Sequence, residues 1–144
     1  RLPDPAPDPV DPPGNAAFVA VHTGFEVQID EEARGDTRFN EPDGAFFHRT
    51  GAIYGIKSAG TGAGQQNYQN NTSLPARHWE HCEIEVNDQD YTVRLNSQEA
   101  TRFRRSTSDT IRGRPPSVEP HSGFIGVQTH AGNVAFANIR IKPL

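Results

Sequence analysis

The sequence predicts an all-β domain, two antiparallel sheets packed as a sandwich, and three observations carry that prediction. Thirteen glycines and twelve prolines are spread over 144 residues and leave only short apolar segments between them. Those segments alternate apolar and polar side chains with a period of two, the pattern of strands that bury one face. Turn residues recur between them at strand-sized intervals, so no helix longer than about three turns is expected.

The chain has the size of one domain, and its hydrophobic content of 33% makes the core thin. A formal net charge of −4 excludes a cationic surface of the kind that holds nucleic acid regardless of sequence. Arg102, Arg104, Arg105, Arg112 and Arg114 form the one basic stretch. Interleaved with Ser and Thr and with only Phe103 to stack a base, it reads as a solvated loop. A single cysteine, Cys82, allows neither a disulfide framework nor a thiolate zinc site within the chain, and its place in an apolar alternation makes it a small core residue. No run is long enough to insert in a membrane, and no signal peptide opens the sequence. The absence of methionine makes the chain a processed protein or an excised piece.

Six prolines lie within the first thirteen residues, so residues 1–15 are an extended loop or linker and 16–144 the domain. Ala17 to His22 and Gly24 to Asp30 are two extended runs around a turn. In the second, Phe25, Val27 and Ile29 alternate with Glu26, Gln28 and Asp30, which puts three polar groups in line on one face. Glu31 to Arg49 is a long polar loop, Thr50 to Lys57 a short strand, and Ser58 to Ser73 another loop. Its glycines at 60, 62 and 64 suggest a phosphate loop, but no amphipathic helix follows to supply an N-terminal dipole.

Trp79 to Val86 and Tyr91 to Asn96 make the clearest hairpin, with Cys82, Ile84 and Val86 facing inward with Tyr91, Val93 and Leu95. Trp79 is placed in the core. His78 and His81 would share a face only on a helix, which the strand pattern excludes. Gly123 to His130 and Asn133 to Ile141 are the last two strands, the second with a bulge near Ala137 and Asn138.

Five strings, in order, resemble a family: Gly-Phe-Glu-Val-Gln-Ile-Asp at 24–30, His-Arg-Thr-Gly-Ala-Ile-Tyr-Gly at 48–55, Trp79 before Glu-Ile-Glu-Val at 83–86, Val-Arg-Leu-Asn at 93–96, and Gly-Val-Gln-Thr-His at 126–130 before Asn-Ile-Arg-Ile at 138–141. They are similar to successive motifs of the 3-keto-disaccharide hydrolase domain. The resemblance implies a concanavalin A-like jelly-roll sandwich and a periplasmic or secreted setting. Further strands usually precede the first motif, so the sandwich is expected to be incomplete at its N-terminus and completed by strands of the parent protein or another chain. Ser97 and Ala137 depart from the pattern, which usually has glycine and arginine there.

The chemistry the resemblance implies is cleavage of a glycoside carrying a ketone at C3, which acidifies the proton on C2. Such a site needs a base, an electrophile and donors for sugar hydroxyls. Glu26 is the candidate base or ligand, and His48 and His130 are candidate ligands or proton carriers. Gln28, Asp30, Arg49, Tyr54 and Gln128 are candidate substrate contacts. Glu26, His48 and His130 together form a plausible set for a divalent metal ion. The plain alternative is that alternating polar residues on a one-sided sheet simply face water. At the level of function the alternatives are a non-catalytic carbohydrate-binding sandwich, or a structural piece of a larger assembly.

Overall fold

The computed structural model describes residues 24–37, 40–69, 78–106, 125–129 and 133–144. Among them the chain is all-β, with a 3-10 turn at Phe46–His48 and a four-stranded antiparallel sheet. The strands are β1 (Gln66–Tyr68), β2 (Cys82–Asn87), β3 (Asp90–Leu95) and β4 (Gln98–Arg104), in spatial order β1-β4-β3-β2. They form one antiparallel layer of the kind a sandwich requires.

The β2–β3 hairpin forms as expected, although Ile84, expected to face inward, is half-exposed on this edge strand. Cys82 pairs with Leu95, Ile84 with Val93 and Val86 with Tyr91, and Asp88 and Gln89 close the turn. A second two-residue turn, Asn96 and Ser97, joins β3 to β4, and both of its residues have positive φ (50° and 69°). That is the backbone a tight hairpin demands, because its twist matches that of the strands.

β4 lies where a solvated basic loop was expected, and its alternation accounts for the difference. Thr101 and Phe103 are buried while Arg102 and Arg104 face outward. Arg104 donates to both carboxylate oxygens of Asp90 across the strand pair, and Arg102 donates to Glu99. The basic side chains are thus the polar face of a strand, neutralised by neighbouring acids. β1, another departure, falls inside the expected loop 58–73. It forms because Gln66, flanked by polar residues, is buried for its amide and not for apolar surface.

The core consists of Ile53, Ile56, Tyr91, Val93 and Phe103, with Phe25, Val27 and Val86 packed against it. Phe25 meets Tyr91 and Phe103 edge-on at centroid distances of 5.2 and 5.1 Å, a favoured aromatic geometry. The expected strand 50–57 is a set of turns with one bridge, Val27 to Ile53. Two facts replace strand regularity there. Gly51 takes φ +87° and sits where a Cβ would lie 3.0 Å from both Leu95 and Ala100. The wholly buried Gln66 side chain accepts from the Ile53 N–H (2.9 Å) and donates to the carbonyls of Ile53 (2.9 Å) and Ile56 (2.6 Å). A side-chain amide stands in for a neighbouring strand and satisfies buried backbone groups.

Other expectations are corrected. Trp79 is 71% exposed, not core, since it lies ahead of β2, outside the paired residues. Cys82 is exposed at the sheet edge, although its sulfur is sheltered enough for burial to push the thiol pKa up, which disfavours the thiolate. The described parts of the last two expected strands, 125–129 and 133–141, belong to no strand, and Ile125, Val127, Ile139 and Ile141 are exposed, because the described residues supply no strand to pair with them. The run 17–22 and the linker 1–15 lie outside the described residues. No helix among the described residues is long and apolar enough to cross a membrane.

Candidate functional site

The site is built on the short ladder between residues 24–30 and 50–54. Tyr54 N–H donates to the Glu26 carbonyl (2.8 Å), Gln28 N–H to Ala52 (2.9 Å), Gly51 N–H to Gln28 (2.9 Å) and Thr50 N–H to Asp30 (3.1 Å). Phe25 and Val27 pack on the core, so strand alternation turns Glu26 and Gln28 to the other face. Tyr54, opposite Glu26 in the register, shares that face.

The 3-10 turn brings His48 to the same place. Its ring lies 5.4 Å from that of Tyr54 and 4.5 Å from that of Phe47, and the residue is 1% exposed. Its Nε2 lies 3.2 Å from Oε2 of Glu41, and the other Glu41 oxygen, Oε1, lies 2.9 Å from Nζ of Lys57. Lys57 in turn stands over the Phe47 ring at 5.5 Å. Neither His48 Nε2 nor Glu41 Oε2 has an aligned hydrogen bond. They are two buried polar atoms whose described neighbour is each other.

Glu41 escaped the sequence reading because it sits in an Asn-Glu-Pro-Asp stretch with no periodicity to orient it. The local fold explains its position. Asp43 Oδ1 accepts from Gly35 N–H (2.8 Å), Gly44 N–H donates to Ala33 (2.8 Å), and Glu41 N–H donates to Asp36 (3.1 Å). A Cβ on Gly35 would overlap the Glu41 carbonyl, so glycine is what lets the loop close on itself.

Asp30, a candidate sugar contact, has its carboxylate engaged by the backbone. Oδ1 accepts from Glu32 (2.9 Å) and Ala33 (3.0 Å), and Oδ2 from Arg34 (3.0 Å). These bonds hold the turn in which Ala33 takes φ 50°. Arg49 is half-buried beside Tyr68, whose hydroxyl donates to Thr50 O (3.2 Å). Burial raises the Tyr68 pKa, and the nearby Arg49 charge partly offsets it. Gln128 is exposed in 125–129, and His130 lies outside the described residues. His78 and His81 are exposed. Among the described residues no three of His, Cys, Asp and Glu converge; the expected metal set of Glu26, His48 and His130 includes a residue outside them.

The described residues thus form an all-β layer with a polar ladder face, and the imidazole of a buried carboxylate–imidazole pair stands beside Tyr54 of that ladder. The chain belongs to the 3-keto-alpha-glucoside-1,2-lyase-like domain family, whose model matches residues 13–142. That ties it to carbohydrate chemistry at the level of the family. Comparison with curated proteins and with solved structures returned no match.

Proposed function

We propose that this domain cleaves glycosides carrying a ketone at C3, by taking the proton from C2 and releasing the group on C1. In the reaction, the C2–H electron pair becomes the C1–C2 double bond, the C1–O bond breaks with its electrons, and the leaving oxygen takes up a proton. Water adding back gives net hydrolysis. The reading assigns the C2 proton to Glu26, sugar hydroxyls to Gln28 and Gln128, ring stacking to Tyr54, and proton handling to His48 with His130. The observation that carries it is the cross-ladder pairing of Glu26 with Tyr54, with the His48 ring at 5.4 Å from that tyrosine, in a chain of this family.

The test is incubation of the purified protein with a 3-keto glucoside bearing a chromogenic leaving group. Release is expected, and its absence at high enzyme concentration overturns the proposal. A divalent ion held by Glu26, His48 and His130 would steady the enolate charge; activity should then fall on dialysis against a chelator and return with metal. The near-complete burial of His48 favours one second reading, a carbohydrate-binding module on the same face. Sugar binding without any bond cleavage selects it.

A further inference from the structure

We propose that Glu41 is the positioning residue for His48, setting its tautomer so that Nε2 carries the proton and Nδ1 keeps the lone pair. Two buried atoms carry the inference. His48 Nε2 and Glu41 Oε2 lie 3.2 Å apart, both shielded from solvent, and neither has an aligned hydrogen-bond partner, the other atom included. A bare Nε2 would turn its lone pair toward a carboxylate oxygen at that distance, two acceptors facing each other in a poorly solvated place. A protonated Nε2 supplies the donor that this oxygen lacks once a small turn of the imidazole or the carboxylate aligns the pair, which a bare Nε2 can never do.

Glu41 is able to impose this choice because its backbone and burial hold it in place. Its N–H donates to Asp36, and the Glu41 and His48 side chains are buried, while the half-exposed Lys57 meets only the other oxygen, Oε1, at 2.9 Å. Phe47 and Tyr54 flank the imidazole with ring surface, their centroids 4.5 and 5.4 Å from its own. The consequence is directional. The lone pair then lies on Nδ1, the nitrogen away from Glu41. A carboxylate behind an imidazole fixes which nitrogen reacts in many sites of this chemical type.

The inference deepens the proposed function, since it concerns the proton carrier of that site, but its main readout does not need turnover. Ring-15N histidine spectra of the full chain at about pH 8, where an ordinary imidazole is neutral, report which nitrogen of His48 is protonated. The native protein should show protonated Nε2 and bare Nδ1. Glu41→Gln keeps a carbonyl oxygen for the Nε2 proton and should retain that tautomer. Glu41→Ala should lose it and give a mixture of tautomers. Lys57→Met, which disturbs the other carboxylate oxygen, should leave the His48 tautomer unchanged.

A bare Nε2 in the native chain overturns the proposal, as does an unchanged tautomer in Glu41→Ala. A Lys57→Met shift equal to that of Glu41→Ala also overturns it, by showing that general loosening of the loop is responsible. Amide spectra of each variant check that it is folded. With a 3-keto glucoside, Glu41→Gln should lower kcat about tenfold or more with KM little changed. An inactive native chain would end the functional reading while leaving the tautomer result to decide this inference.

Discussion

Single side chains settle much of this molecule, and Gln66 is the clearest case. Its amide satisfies two carbonyls and one N–H in the buried 53–56 turn. Gln66→Ala leaves those groups without partners and should lower unfolding stability by about 3 kcal/mol, read as a fall in the urea midpoint. Glu26→Gln keeps shape and removes charge. In the proposed reaction it should abolish turnover of a 3-keto glucoside while the urea midpoint stays put, and full activity would remove Glu26 from the mechanism. Asp90 makes a prediction about acid. Its hydrogen bonds to the Arg104 guanidinium hold the carboxyl below the ordinary aspartate range. The folded-state pKa is depressed, so the contribution is present above the unfolded pKa and is lost as pH falls through the folded one. Both groups are exposed, so the effect is small. Asp90→Asn should flatten the acid limb of stability against pH slightly and leave the neutral value almost unchanged.

Among elements, the turn between β3 and β4 carries removable strain. Ser97 sits at φ 69°, where an L side chain crowds the backbone, in a position that resembled motifs usually fill with glycine. Ser97→Gly should therefore stabilise the domain by about 1 kcal/mol, and an unchanged midpoint in a denaturant titration would refute the strain argument. The reverse substitution in spirit is Gly51→Ala. It combines positive φ with a Cβ 3.0 Å from Leu95 and Ala100, so it should cost about 2 kcal/mol and loosen the ladder that carries Tyr54. The β2–β3 hairpin was legible in sequence because each arm alternates cleanly and a polar turn separates them. β4 was not, since Ala100 and Thr101 are both buried beside the register shift at Val93 and Arg94, and a run of arginines reads as solvated surface until Asp90 is placed opposite it and Glu99 turns to Arg102 along the same strand. β1 was hidden because a buried glutamine has no hydropathy signal.

For the whole molecule, far-ultraviolet circular dichroism should show a β spectrum without a helical signature, and the single tryptophan, 71% exposed, should be readily quenched by iodide. A blue-shifted, protected emission would show that Trp79 is covered in solution. The all-β class and the β2–β3 hairpin follow from the amino-acid sequence alone, because period-two alternation and turn chemistry act over a few neighbouring residues; the alternation of 24–30 holds for Phe25 and Val27 but not for Ile29, which is exposed. The sequence also carried the family resemblance, since the five strings lie in order along the chain, and the candidate residues Glu26, His48 and Tyr54 come from them. That His48 is buried against Glu41, that Lys57 meets the same carboxylate, and that Asp30 serves its own turn emerge from the folded chain and from no segment of it. Those pairings depend on loops folding back across aperiodic sequence, through Gly35, Asp43 and the Gln66 amide, where contact distance and burial choose partners that no local pattern marks.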